Sequence, residues 1–185
     1  SFSNFMKNSF HFDMNRLTPL DRQFLIERHL ISREQAVDTA FKSVFISANE
    51  MVSIMVNEED HLRIQIFQSG FNLEEAWDII DTIERDVEER ASFAFSEQWG
   101  YLTACPTNTG TGMRASVMLH LPAAVMTQQI NKIVDGISKL GLTVRGLFGE
   151  GTEAVGNFFQ VSNQVTLGRR EAVSYTHLRA HETVL

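Results

Sequence analysis

The 185-residue chain predicts an α+β fold in which an antiparallel or mixed sheet is covered by helices. Two observations carry that prediction. The runs 51–56 (MVSIMV) and 62–67 (LRIQIF) read as strands, the second with apolar residues at every other position, and only the acidic stretch 57–60 separates them. A gap of that length closes a hairpin. Beyond Asn72, in contrast, Ala76, Ile79, Ile80, Ile83 and Val87 recur at helical spacing, so a long amphipathic helix follows the hairpin.

The other elements alternate in the same way. Residues 15–30 carry Leu17, Leu20, Phe24, Leu25 and Leu30 on a helical stripe, and Ser32 opens another short helix with Gln35 at the capping-box position. Asn72 is placed to cap the long helix, and Glu74 and Glu75 in its first turn complement the helix dipole. Residues 101–105 and 115–121 are strand-like and flank a glycine-rich loop. Pro122 suits the first position of a helix running to Leu140, with Gly141 as its stop. Residues 142–147 and 157–161 read as further strands.

Residues 1–172 are expected to form one domain that begins mid-protein, since Ser1 stands where a start methionine would be. Residues 173–185 break the style of the rest and resemble an in-frame translation of a transposon-type sequencing adapter. That tail, with its i,i+4 pair His177 and His181, is set aside as non-native.

Composition narrows the function classes. A net charge of −7 without any basic stripe argues against nonspecific nucleic-acid binding. One cysteine supports neither an internal disulfide framework nor a zinc knuckle, and no protein-held metal is expected. No run approaches the ~18 apolar residues of a membrane helix, and no signal-peptide pattern opens the chain. A cytoplasmic protein is therefore expected, with neither nucleic acid nor membrane as partner.

Chemistry concentrates in a few short stretches. Residues 105–114 (CPTNTGTGMR) combine a lone thiol, two glycines, four hydroxyl or amide side chains and one arginine. Core packing calls for no such mixture. Glycines let backbone approach a ligand, an arginine fork grips phosphate oxygens, and donors and cations favour the anionic form of a thiol. Cys105 as a small buried hydrophobe is the plainer alternative. Residues 57–63 (NEEDHLR) set three carboxylates side by side, which repel unless a cation joins them; a solvated turn is the plainer reading there. Residues 145–153 (RGLFGEGTE) form a glycine-rich stretch with one arginine and two glutamates, able to close over a substrate or to be an ordinary surface loop. His29, on a helix, is by itself a surface residue.

These motifs, in this order, resemble those of the phosphagen (guanidino) kinase family: NEEDHxR, CPxNxGTGxR and, in the protein-arginine kinase branch, RGxxGE. The resemblance covers about residues 14 to 171. It implies a largely antiparallel, glutamine-synthetase-like sheet flanked by helices, and transfer of the ATP γ-phosphoryl group to a guanidinium with Mg²⁺ accompanying the nucleotide. By position in the motifs, Glu59 matches the catalytic carboxylate and Glu150 the second acidic partner of the guanidinium, with Glu153 a rival for that role. Cys105 matches the cysteine that lies beside the substrate. Arg63, Arg114 and Arg145 match phosphate-binding arginines, Ala115, Ser116, Val117 and Met118 the nucleotide-binding run, and His29 the adenine-side histidine. Gly146, Leu147, Phe148 and Gly149 complete the RGxxGE stretch. Val117 and Met118 are equally readable as plain core strand.

The chemistry asks for such residues. A protonated guanidinium is a poor nucleophile, and a carboxylate that binds it as a fork aligns it and accepts the departing proton. Neither a GxxxxGK[ST] loop nor an HRD/DFG set is present, so arginines are the visible phosphate apparatus. Phe148 stands where small-guanidino kinases carry another arginine, which favours a protein substrate with exposed arginine over free arginine or creatine.

The resemblance further implies that the whole protein marks a heat-shock repressor and damaged clients for a Clp protease, takes a zinc-binding adaptor as activator and forms a homodimer. The family's earlier SSRxRxxRN-like segment and its later helical region are not in this sequence. A small-molecule guanidino kinase, or an inactive nucleotide- or phosphoarginine-binding fragment, are the alternatives.

Overall fold

A computed structural model describes residues 4–146 and 155–168, and the chain divides into two units, Ser1–Phe93 and Ala94–Leu185. In the first unit, β1 (Phe10–Asp13), β2 (Ser43–Ile46), β3 (Val52–Val56) and β4 (Leu62–Ile66) form a sheet in that order, with every pairing antiparallel. Helices α1 (Pro19–Glu27) and α2 (Arg33–Ala36) lie on one face and α3 (Leu73–Glu88) on the other. Strand alternation sorts the core between the faces. Val44, Ile46 and Met55 pack with Met14, Leu25, Leu30 and Ile31, whereas Val52 and Ile54 pack with Ile79 and Ile83. Each such buried side chain contributes about 1.5–3 kcal/mol through removal from water.

The helix ends have local causes. α1 starts at Pro19, later than the stripe suggests, because Thr18 and Asp21 form a reciprocal capping box: the Asp21 N–H donates to the Thr18 hydroxyl and the Thr18 N–H to the Asp21 carboxylate. It stops in a paired terminator. His29 N–H donates to the Ile26 carbonyl at 2.9 Å and Leu30 N–H to the Leu25 carbonyl at 2.9 Å, with His29 left-handed at φ +59°. Ser32 caps α2 by accepting from the Gln35 N–H, but the Gln35 amide does not reach back; it is buried and donates to the Ser43 carbonyl at 2.9 Å. Asn72 occupies the position before α3, where its carbonyl accepts from the Ala76 N–H, but its side chain makes no capping bond, its amide donating to the Ser69 carbonyl instead.

In the second unit, β5 (Phe95–Ser96) pairs with β6 (Gly100–Tyr101). A second sheet runs β7 (Ser116–His120), β9 (Phe158–Asn163), β8 (Leu142–Gly146) in spatial order, again antiparallel throughout. Val117, Leu119, Phe159, Val161, Leu142 and Val144 alternate onto one face, and α5 (Ile130–Lys139), with Ile137 buried, packs beside β8.

The single helix expected over 122–140 is two, α4 (Pro122–Met126) and α5. Gln128 turns left-handed at φ +57°, its N–H donates to Val125 O and the next N–H to Ala124 O, so α4 ends in the same kind of terminator as α1. The strand expected over 101–105 stops at Tyr101, which bridges to Gly110; residues 105–112 then turn on Asn108 N–H→Cys105 O and Gly112 N–H→Asn108 O bonds.

Candidate active site

The β3–β4 hairpin delivers the acidic motif. Asn57, left-handed at φ +58°, donates its N–H to His61 O and its side-chain amide to Phe41 O, closing the turn. Because Arg63 pairs across from Met55, it lies on the sheet face that carries α1 and α2. Gln65 shares that face and reaches the His29 carbonyl at 3.4 Å. His29, Ser32, Glu58 and Arg63 are thus assembled on one face within this unit.

Glu58 is the organising carboxylate. Its side chain is 2% exposed, and its oxygens accept from the Ser32 hydroxyl at 2.6 Å, Arg63 Nη1 at 2.9 Å and the Glu59 N–H at 2.8 Å. Burial pushes its carboxyl up, but those bonds and the Arg63 charge together hold it below the usual carboxylate range. Arg63 itself is 47% exposed, anchored at one nitrogen with the rest of its fork open to a ligand. Glu59 is exposed, and its carboxylate has no ion pair among the described residues. One glutamate is consumed as an anchor while its neighbour stays available.

In the second unit, Cys105 is partly buried in the turn after Tyr101, its Sγ 3.0 Å from the Thr107 hydroxyl. Thr103 donates its hydroxyl to the Cys105 carbonyl at 2.7 Å and lies 3.1 Å from the Thr109 hydroxyl. The plainer alternative, a small buried hydrophobe, calls for full burial among apolar groups; Cys105 is partly buried with a hydroxyl against its sulfur. Gly100 and Gly110 let two backbones touch: a Cβ on Gly100 would stand 2.4 Å from Gly110 O, and one on Gly110, at φ +114°, 2.5 Å from Thr166 O. Arg114 follows as an exposed residue just before β7.

The run 115–118 splits by strand parity. Ser116 and Met118 share a face with Gln160 and Arg145, whereas Val117 joins the apolar face opposite Val161. Met118 and Arg145 both align with Gln160, on either side of β9, which separates them by about two strand spacings, or ~10 Å. Arg145 is exposed and Gly146 buried. Leu147, Phe148, Gly149, Glu150 and Glu153 lie outside the described residues.

Glu58 and Ser32 received no role from the sequence, although Ser32 was readable as a cap and Glu58 as one of three adjacent carboxylates. Thr166 and Asn163, which bind the Cys105 loop from the far end of β9, gave no local signal at all. Among the described residues, no group of three or more His, Cys, Asp or Glu side chains is placed to hold a metal ion. No helix among them is long and apolar enough to cross a membrane.

Comparison with known proteins agrees with the family resemblance. Residues 2–184 match the family described as ATP:guanido phosphotransferase, C-terminal catalytic domain. The protein-arginine kinase of Symbiobacterium thermophilum is 58% identical over 163 residues, and that of Desulforamulus reducens 56% over 158. Those alignments take in 88% and 85% of this chain but 46% and 44% of the relatives, so the chain spans under half their length. Among solved structures, a duplicated taurocyamine kinase from Schistosoma mansoni with bound transition-state-analogue components superposes with a TM-score of 0.82 at 26% identity, over 95% of this chain and 26% of that one. A lombricine kinase superposes with a TM-score of 0.73 at 25% identity, over 92% of this chain and 50% of that one. The fold expected from the motifs is the fold these neighbours share. The chain belongs to the ATP:guanido phosphotransferase family, within its C-terminal catalytic domain.

Proposed function

We propose that the protein from which this chain comes is an ATP-dependent protein-arginine kinase. The observation that carries the reading is the division of labour in the hairpin, where Glu58 anchors Arg63 and leaves Glu59 free to engage a guanidinium. The 58% identity to a protein-arginine kinase supports the choice of acceptor.

The chain's own residues would work by positioning and charge. Glu59 takes the acceptor guanidinium as a fork and accepts its proton as the N–P bond forms and the γ-phosphoryl group's bond to the departing ADP breaks, with Glu150 as the second carboxylate. Cys105 orients the same group. Arg63, Arg114 and Arg145 hold nonbridging phosphate oxygens, with Ser116 and Met118 beside the nucleotide, His29 on its adenine side and Gly146 to Glu150 as further nucleotide contacts. Mg²⁺ accompanying the nucleotide would supply further charge neutralisation beside these arginines. Alignment of acceptor and donor can contribute on the order of 7–11 kcal/mol in favourable cases.

On the same reading, phosphorylated clients pass to a Clp protease, a heat-shock repressor is among the substrates, a zinc-binding adaptor activates the enzyme, and the whole protein is a cytoplasmic homodimer. The superposition on taurocyamine and lombricine kinases favours a second reading, a small-molecule guanidino kinase. The deciding experiment incubates the full-length protein with Mg·ATP and either an arginine-rich protein or free arginine, with phosphoarginine read by mass spectrometry. Protein phosphoarginine that vanishes in Glu59→Gln supports the first reading; phosphorylation of free arginine alone replaces it with the second.

A further inference from the structure

The loop bearing Cys105 is gripped from outside by the segment that follows β9. Thr166, 5% exposed, holds its hydroxyl 2.9 Å from the Thr107 carbonyl oxygen and 2.8 Å from that of Thr109, and its own carbonyl accepts from the Thr111 N–H at 3.3 Å. Asn163 completes the grip farther along: its Oδ1 accepts from the Ala115 N–H at 2.8 Å and its Nδ2 donates to the Met113 carbonyl at 3.2 Å.

The two residues whose carbonyls meet Thr166 also organise the cysteine. The Thr107 hydroxyl contacts Cys105 Sγ at 3.0 Å. The Thr103 hydroxyl commits its single proton to the Cys105 carbonyl, so the Thr109 hydroxyl is the donor in the Thr103–Thr109 pair. One proton on Thr166, shared between two carbonyls, therefore sets both threonines that frame Cys105. The approach is close enough that only glycine fits at position 110.

We propose that Thr166 is a positioning residue for phosphoryl transfer, fixing Thr107 and Thr109 so that the Cys105 thiol is presented to the acceptor guanidinium. The proposal rests on the kinase reading of this site and adds to it a residue outside the family motifs named above. It distinguishes Thr166 from a threonine that merely satisfies its own hydroxyl, because a fold-only role leaves the cysteine's reactivity unmoved.

The test uses the full-length protein. Thr166→Val removes the hydroxyl at nearly constant size, and Thr166→Ser keeps it without the methyl group. Alkylation of Cys105 by iodoacetamide is timed on the Cys105 peptide by mass spectrometry, beside kcat and the KM for ATP. In Thr166→Val the alkylation rate is expected to change at least fivefold and kcat to fall at least tenfold, with KM moving less than kcat. Thr166→Ser is expected to restore both to within threefold of wild type. A Val variant whose kcat falls while Cys105 alkylation stays within twofold overturns the proposal, as does one in which neither moves. Should the Val variant not fold, Thr166→Ala is read by the same two measurements. A wild-type protein that makes no phosphoarginine would sink the kinase reading instead, and the alkylation arm would still report whether Thr166 sets the loop.

Discussion

Arg63 reaches across the hairpin to Glu58, Nη1 to Oε1 at 2.9 Å, and thereby turns two adjacent glutamates into unlike groups. Glu58 is enclosed and hydrogen-bonded; Glu59 is exposed. Replacing Glu58 by Gln removes the charge that Arg63 and Ser32 are built around. A loss of about 2 kcal/mol in unfolding free energy is expected, in the range of hydrogen bonds to charged groups. Denaturant titration of Glu58→Gln measures it, and an unchanged midpoint would refute the anchoring role.

The same carboxylate makes stability depend on acid. Its folded value lies below the unfolded one, so its contribution is present in full above ~4.3, the ordinary glutamate value, and is lost as pH falls through the lowered folded value. The unfolding midpoint of wild type should therefore drop across that acidic window more steeply than that of Glu58→Gln. Parallel curves for the two proteins would contradict a lowered Glu58 carboxyl in the folded state.

Glu59→Gln should behave in the opposite way. An exposed side chain without an ion pair leaves stability within about 0.5 kcal/mol of wild type. Loss of the proton acceptor should lower kcat by a factor on the order of 10²–10⁴. Thermal melts and phosphoarginine formation on one preparation check both halves of the claim.

His29 separates backbone from side chain. Its left-handed φ of +59° closes α1, a position where glycine is at ease. His29→Gly should fold with stability within about 1 kcal/mol of wild type, relief of strain offsetting the added freedom of the unfolded chain. The KM for ATP should rise if the imidazole borders the adenine. A loss above 2 kcal/mol would assign the side chain a structural role instead.

Gly110→Ala tests how tightly the Cys105 loop is seated. The added carbon would meet the Thr166 carbonyl at 2.5 Å and the Leu167 Cα at 2.7 Å, and neither backbone atom can rotate away. A cost of about 3 kcal/mol is expected, at the upper end of overpacking effects. A variant as stable as wild type in urea would mean that the loop is free to move off β9's extension.

What was legible in the sequence follows from the range of the interactions. Ile79, Ile83 and Val87 announce α3 because their spacing reflects one helix face, and the 62–66 alternation announces β4 because one side of that strand is apolar. Residues 57–63 lie within a single hairpin; their composition alone reads as a solvated turn, and only the motif resemblance singles them out. β1 and β2 left no such trace: Phe-His-Phe-Asp and Ser-Val-Phe-Ile are each only four residues long and are recruited by pairing with each other and with β3. The break between α4 and α5 depends on a left-handed Gln128, a choice that glycine would have advertised and glutamine does not. Thr166 meets Thr107 across 59 residues, and no local pattern records a contact of that span.

The pleat of β4 acts as a counter. Leu62, Ile64 and Ile66 fall toward α3 and Arg63 and Gln65 toward α1 only because the number of residues between Asn57 and Arg63 has the parity it has. One residue added between His61 and Arg63 would keep every chemical group of the motif and send the guanidinium to the wrong side of the sheet. Spacing here is as much a part of the chemistry as the side chains are. A homologue that preserves the letters but alters the count within the strand would carry no arginine at this place on the face that holds α1 and α2.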